Sequence, residues 1–323
     1  MEQRALGHTQ VSVIGLGTWQ LGADWGNVTE EDALKVLRAA VESGVTFFDT
    51  ADVYGDGRSE RIIGRFLADN AGQGITVATK MGRRVAQEPA NYTLSNFRAW
   101  TDRSRVNLGV ETLDLVQLHC PPSAVYEDDR TYDALDTLVA EERIAAYGVS
   151  VETCDQALTA MARGVQSVQI ILNAFRRKPL ERVLPTAAEA GVAIIARVPL
   201  ASGLLSGRYT ADTTFPADDH RNYNARGDAF DVGETFSGVD FATGVRAAQS
   251  FAALGLPGTP AQAALRWIIQ QPGVTTVIPG ARSVTQARQN AEAADLEPLP
   301  PAQLAAIEAL YDTYFRAAVH DRW

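Results

Sequence analysis

The chain has 323 residues, 46% of them hydrophobic, which supports a large core and suits one α/β barrel of about 250 residues with insertions. A formal charge of −10 argues against a phosphate-backbone partner, so nucleic acid is excluded as the expected target. No apolar stretch follows Met1-Glu2-Gln3-Arg4, and Arg197 interrupts the most apolar later segment, 192–205, well short of a bilayer span; the expectation is a cytoplasmic chain with no membrane partner.

Cys120 and Cys154 are the two cysteines, too few for a disulfide framework or a Cys-based metal cluster, and both read as small apolar residues. The four histidines, His8, His119, His220 and His320, form no H-x-H pair, so a metal-dependent barrel hydrolase has little material and no metal site is expected.

After a turn at Gly7-His8-Thr9-Gln10, apolar strand-like runs recur at 11–17, 45–49, 76–80, 113–119, 145–150, 168–172, 192–199 and 276–279. Amphipathic segments lie between them at 33–42, 61–68, 96–107, 133–141, 153–162, 180–190, 260–270 and 283–294. The first three are preceded by start signals: Thr29-Glu30-Glu31-Asp32, Ser59-Glu60 and Ser95. Eightfold alternation predicts a single-domain (β/α)8 barrel over 1–323. A doubly wound sheet is the rival, but Gly15-Leu16-Gly17-Thr18-Trp19-Gln20 lacks the third glycine of a dinucleotide fingerprint and opens no helix. The connection after the seventh strand, 201–258, is too long for a simple βα loop and reads as a functional insertion. The stretch 302–316 reads as an extra C-terminal helix, leaving 319–323 to fold over a barrel end.

Ionisable groups close three successive strands. Phe47-Phe48-Asp49 is followed by Thr50-Ala51-Asp52-Val53-Tyr54-Gly55, the next run ends in Lys80, and the next in His119 before Cys120-Pro121-Pro122. Ligands of parallel sheets bind at the carboxyl ends of the strands, so all four groups are expected to face one pocket. Taken singly, Asp49 would be a helix cap, Tyr54 packing, and Asp49 with Lys80 a buried ion pair.

Together these stretches resemble the aldo-keto reductase family over essentially the whole chain. The resemblance rests on Gly15 to Trp19, Asp49 to Gly55 with Ser59-Glu60 and Gly64, Lys80, and Leu108-Gly109-Val110-Glu111-Thr112-Leu113-Asp114-Leu115-Val116-Gln117-Leu118-His119. It implies that Tyr54 is the proton donor to a substrate carbonyl, Lys80 and Asp49 the pair that tunes it, and His119 a neutral group orienting the carbonyl. A nearby ammonium stabilises a phenolate, so Lys80 is expected to bring Tyr54 closer to neutral pH.

No side chain accepts a hydride, so the resemblance also requires a nicotinamide cofactor. Ser150 and Gln169 occupy the family's carboxamide-binding places, with Val151 following Ser150, and Leu172 is expected at the ring-stacking place. Gly17, Thr18, Trp19 and Asp49 are expected beside the cofactor, and Pro199, Leu200, Ser202, Gly203, Leu204 and Gly207 around its pyrophosphate. The adenosine end matches Gly280, Arg282, Ser283, Gln286, Gln289 and Asn290, where Arg282 at a helix N-terminus favours a 2′-phosphate and hence NADP(H), with NAD(H) use also compatible.

Trp19, Trp25, Tyr54 and His119 are the expected substrate contacts. Met81, Arg83, Phe215, His220, Tyr223 and Phe230 are further candidates by position. The partner implied is a small carbonyl compound: an aldehyde, ketone, dicarbonyl or sugar. The alternative reading is a nicotinamide-nucleotide-binding redox sensor or regulatory subunit with slow or no turnover.

Overall fold

A computed structural model describes residues 1–323 apart from 23–27, 218, 225, 229 and 230, so the expected substrate contacts Trp25 and Phe230 lie outside the described residues. Two short strands, β1 (Gln3–Leu6) and β2 (Thr9–Ser12), form an antiparallel hairpin through the Gly7 turn. Eight parallel strands follow: β3 (Leu16–Gly17), β4 (Phe47–Asp49), β5 (Thr76–Met81), β6 (Leu115–His119), β7 (Tyr147–Ser150), β8 (Ser167–Ile171), β9 (Ala193–Arg197) and β10 (Val274–Val277). Each pairs with the next in chain order, and the bridges Ile14 to Val277 and Gly17 to Gly280 close the ring.

The expected (β/α)8 barrel is therefore present, with one revision at its start. The run 11–17 is split: Thr9–Ser12 belongs to the hairpin and only Leu16–Gly17 enters the barrel ladder as a strand. The hairpin residues Leu6 and Val11 cluster with Phe47, Ala78, Leu115, Ala146, Ala193, Ile195 and Ile278, so β1 and β2 plug the bottom of the barrel.

Side chains alternate along a strand, so this inner cluster fixes which parity faces inward. Phe47 brings Asp49 with it, Ala78 brings Lys80, Leu115 brings Gln117 and His119, and Ile195 brings Arg197. Register levels these positions around the mouth: Gly17 pairs with Asp49, Lys80 with Gln117, His119 with Ser150, and Ser150 with Gln169.

Helices cover the outer faces, and their starts follow capping chemistry. The Thr29 side chain accepts from the Asp32 amide at the start of Glu30–Glu42, as expected. The next two begin earlier than expected: Arg58–Asp69 is preceded by Gly57 in a left-handed conformation, and Leu94–Leu108 is capped by Thr93 rather than Ser95. Gly64 lets these two helices close together, since a Cβ there would lie 2.6 Å from the Asn107 carbonyl oxygen.

The insertion after β9 is folded. It holds the short turns Val232–Glu234 and Phe236–Gly238, the helix Phe241–Ala252, and a cluster of the Tyr209, Phe215, Phe236 and Phe241 rings. The extra C-terminal helix is Pro301–Tyr311. Beyond it Trp323 is buried against the insertion, its ring 3.8 Å from the Arg176 guanidinium and packed against Gly233 and Gly238. No described helix is long and apolar enough to cross a membrane.

Candidate active site

A cavity of about 710 Å³ opens at the carboxyl ends of the strands, the size of a small-molecule site. Of the residues expected there, Gly17, Thr18, Trp19, Asp49, Tyr54, His119, Ser150, Gln169, Pro199, Leu200, Ser202, Gly203 and Gly280 line it. Lys80 lies just beneath, 1% exposed.

Lys80 is held by geometry that uses all three of its N–H groups. Its Nζ donates to Asp49 Oδ2 at 2.6 Å and to the Thr50 carbonyl at 2.8 Å, and reaches the Tyr54 hydroxyl at 3.5 Å. Asp49 is saturated in turn: Gln169 Nε2 donates to its Oδ1 at 2.7 Å and Gln117 Nε2 approaches at 3.4 Å. Burial pulls Lys80 down, but Asp49 and then Tyr54 outweigh it, and the ammonium is stabilised.

Tyr54 departs from expectation. Burial is the largest influence on its phenol and pushes it up, and although Lys80 opposes this, the net shift is upward. The resting residue is therefore a protonated phenol, and the Lys80 contribution works on the phenolate only once the proton has left. The Tyr54 ring lies between Trp19, stacked at 6.0 Å, and the edge of His119 at 6.1 Å.

His119 is held neutral. Burial, then Arg83, Lys80 and Arg197, lower its imidazole well below the usual value, and its buried Nδ1 has no hydrogen-bond partner among the described residues. Its carbonyl is fixed by Arg83 Nε at 3.1 Å and Gln87 Nε2 at 3.0 Å.

Several expected residues lie elsewhere. Leu172 has the outward parity of Val168 and Ile170 and is fully buried in the layer between strands and helices, so it does not present a stacking face to the cavity. Met81 is likewise on the outward side of β5 and buried in that layer, which removes it as a substrate contact. Leu204 packs in the core against Gly244, and Gly207 closes the turn Ala201–Ser206, its amide donating to the Leu204 carbonyl. Phe215 belongs to the insertion's ring cluster instead of the cavity. His220 opens the short helix His220–Tyr223, and Tyr223 does line the cavity.

Arg282, Ser283, Gln286, Gln289 and Asn290 sit outside the cavity lining, at or on the helix Val284–Glu292. Ser283 caps it by accepting from the Gln286 amide, and Gln286 Oε1 accepts from the Arg282 amide at 2.8 Å. Asn290 Nδ2 donates to the carbonyl of Gly280, which ties this helix to the cavity rim. The Gln289 carbonyl accepts from Gln262.

The loop after β9 is strained where it meets the cavity. Val198, Ala201 and Ser202 all have positive φ, costly for non-glycine residues and worst for a β-branched one. A Cβ at Gly203 would collide with the Tyr209 hydroxyl, so this curvature requires glycine there. The Ser202 hydroxyl is already engaged, donating to the Glu234 carbonyl at 2.7 Å and accepting from the Phe236 amide.

Three further charged residues at the mouth were not anticipated as site residues. Arg197, the inward-facing last residue of β9, lines the cavity and binds Glu234 Oε1 at 2.8 Å and Glu152 Oε2 at 3.1 Å. A lone arginine inside an otherwise apolar strand run was the available signal for it. Glu234 comes from the insertion and Glu152 from the β7 loop, and neither had a local motif to mark it.

An eight-stranded parallel barrel with a buried Lys-Asp pair beneath a phenol at its mouth defines a class of barrel oxidoreductases. The comparisons agree: the model of the aldo/keto reductase family matches residues 13–312, and the chain belongs to that family. The aldo-keto reductase YhdN of Bacillus subtilis is 30% identical over 296 residues, covering 88% of this chain and 86% of the relative. Among solved structures, the glycerol dehydrogenase AKR11B4 from Gluconobacter oxydans is 28% identical with a TM-score of 0.79, covering 97% of this chain and 95% of that one. An aldo-keto reductase from Klebsiella pneumoniae, solved in complex with NADPH, shares the fold at 24% identity and a TM-score of 0.70, with 96% of each chain covered.

Proposed function

We propose that this aldo-keto reductase family member is an NADP(H)-dependent carbonyl reductase in which Tyr54 donates the proton. The observation that carries the reading is the Lys80 ammonium, fixed by Asp49 and Thr50 with its remaining N–H toward the Tyr54 hydroxyl at the cavity floor.

The residues present fit a nicotinamide nucleotide. Gln169 keeps Oε1 as an acceptor with no partner among the described residues, and Ser150 faces the same cavity. Gly203 and Gly280 line its rim, where a Cβ at either would collide with a neighbour. On this reading Ser150 and Gln169 hold the carboxamide, the Pro199 to Gly203 loop the pyrophosphate, and Arg282 with Ser283 the 2′-phosphate. Hydride delivery is the chemistry that the bound nucleotide supplies, since the chain has no group for it.

The chain's own contribution is proton transfer and orientation. A carbonyl oxygen becoming an alkoxide is far more basic than a phenolate, so a protonated Tyr54 is a competent donor even with its pKa raised. As the proton leaves, the Lys80 N–H at 3.5 Å gains a charged acceptor and shortens, which stabilises the product phenolate more than the starting phenol. Neutral His119 can donate one hydrogen bond to the same oxygen without competing as an acid. The glycerol dehydrogenase among the structural neighbours supports a small substrate.

Tyr54→Phe should lower kcat with NADPH and an aldehyde by at least two orders of magnitude while the Kd for NADPH, read by fluorescence titration, stays within about twofold. Turnover within a few-fold of wild type in that variant would refute the assignment.

A further inference from the structure

Above the floor of the cavity lies a largely buried quartet of charges drawn from four different segments, of which Arg83, Arg197 and Glu234 line the cavity. Arg83 follows β5, Glu152 follows β7, Arg197 ends β9 and Glu234 belongs to the insertion. Their side chains are 23%, 17%, 9% and 11% exposed, so the charges act on one another through little water.

The pairing within the quartet is unequal. Arg197 takes both carboxylates, Glu234 at 2.8 Å and Glu152 at 3.1 Å, and adds the Val151 carbonyl at 3.0 Å. Arg83 is left with the His119 carbonyl, which is neutral, and a 3.5 Å approach to the Glu152 oxygen that Arg197 does not hold. Its Nη1 has no hydrogen-bond partner among the described residues, and the side chain faces the cavity beside Tyr54, His119 and Cys120. A guanidinium with spare donors and a weak counter-ion is the fork that a planar carboxylate fits.

We propose that the carbonyl substrate carries a carboxylate, as an oxo acid or a carboxylated aldehyde does, and that Arg83 receives it. This rests on the reductase reading above and names the substrate class for the same site. A single fork with two or three available N–H groups matches one carboxylate, whereas a phosphate dianion calls for more donors than Arg83 has. The geometry of the two carboxylates supports the assignment: Arg197 holds Glu234 at 2.8 Å and Glu152 at 3.1 Å, closer than the 3.5 Å at which Arg83 approaches Glu152. The other charged groups nearby are paired among themselves. Lys80 is matched by Asp49, Arg221 by Asp219, and Asp231 faces Arg176.

The test compares acids with neutral analogues of the same shape, using purified protein and NADPH. The substrates are 4-carboxybenzaldehyde against methyl 4-formylbenzoate, and succinic semialdehyde against butanal. Wild type should favour each acid by about ten- to hundredfold in kcat/KM, the range expected of a charge-assisted hydrogen-bond pair. In Arg83→Gln the acid-to-neutral ratio should fall to near one, mainly through KM, and Arg83→Lys should keep part of it.

A wild-type ratio near one overturns the proposal. So does an equal loss for acid and ester in Arg83→Gln, which is what a mere brace on the His119 carbonyl would give, or a rise in the Kd for NADPH large enough to explain the loss. If no aldehyde turns over although NADPH binds, the reductase reading fails and this proposal fails with it. Turnover of the neutral aldehydes without acid preference sinks the proposal alone.

Discussion

Asp52 is the most sharply testable residue in the strip between Asp49 and Tyr54. It is fully buried, and neither carboxylate oxygen has a hydrogen-bond partner of good geometry. Burial, followed by the charge of Glu60, pushes its carboxyl up from 3.8 to about 7, while Arg84, Arg103 and the Val53 amide offset part of that cost. Glu60 cannot move away, since Thr79 and Asn107 hold its two oxygens at 2.7 and 2.8 Å.

The sign follows from proton counting. Between pH 4 and 7 the native chain keeps the Asp52 proton while the unfolded chain has lost it, so stability from this group is full at acid pH and falls as pH rises to about 7. A rise of roughly three units corresponds to about 4 kcal/mol at pH 8, taken as an upper figure because the site can relax. Asp52→Asn mimics the protonated form. It should come within about 1 kcal/mol of wild type near pH 4, pull ahead as pH rises, and be more stable by about 2 to 4 kcal/mol at pH 8, in urea unfolding followed by tryptophan fluorescence with an unchanged m-value. Titrations of groups that do not interact with Asp52 cancel in the difference between the two proteins. An Asn variant no more stable than wild type at pH 8, or with a difference that does not vary with pH, would refute the reasoning.

Two further changes probe the ends of the site. Arg282→Ala should weaken NADPH by about ten- to hundredfold while leaving NADH nearly unchanged, read as the two Kd values, because only NADPH carries the 2′-phosphate; an unchanged ratio would remove Arg282 from the cofactor site. Trp323→Ala should cost about 3 kcal/mol of unfolding free energy, since it empties the space between Arg176, Gly233 and Gly238, and should speed protease cleavage within 208–258; normal stability would mean that the tail does not brace the insertion.

The barrel was legible because parallel strands covered on both faces read as predominantly apolar runs, and seven of the eight carried that signal. The first did not, because the hairpin that plugs the barrel floor has the same apolar character as a barrel strand and runs into it. The tetrad was legible because each member lies at the end of a strand or five residues beyond one. Leu172 was misplaced by the same logic applied too loosely. The strand end was right, but three residues from Gln169 is the opposite parity, and the inward position at the neighbouring strand's end is Arg197. The insertion's contribution was beyond local reasoning: Glu234 lies 37 residues past Arg197, and only the folded loop brings them to 2.8 Å.

That long-range pair explains why the mouth needs its charges balanced from several directions. His119 is held neutral first by burial and then by the cations Arg83, Lys80 and Arg197, so the residues that would attract an anionic substrate also help keep the imidazole from acting as an acid. Removing Glu234 or Glu152 would not affect this wall alone, since each restrains an arginine whose field reaches His119. Lys80 differs, because Asp49 neutralises it at 2.6 Å and two glutamines fix Asp49 in place. The floor of the site is thus a closed, paired unit, to which the proposed function assigns proton transfer, and the wall above it is a partly paired one that can respond to the charge of what binds. A division of this kind lets a family keep its chemistry while changing its substrates, because the insertion and the loop ends can vary without disturbing the strand-borne floor.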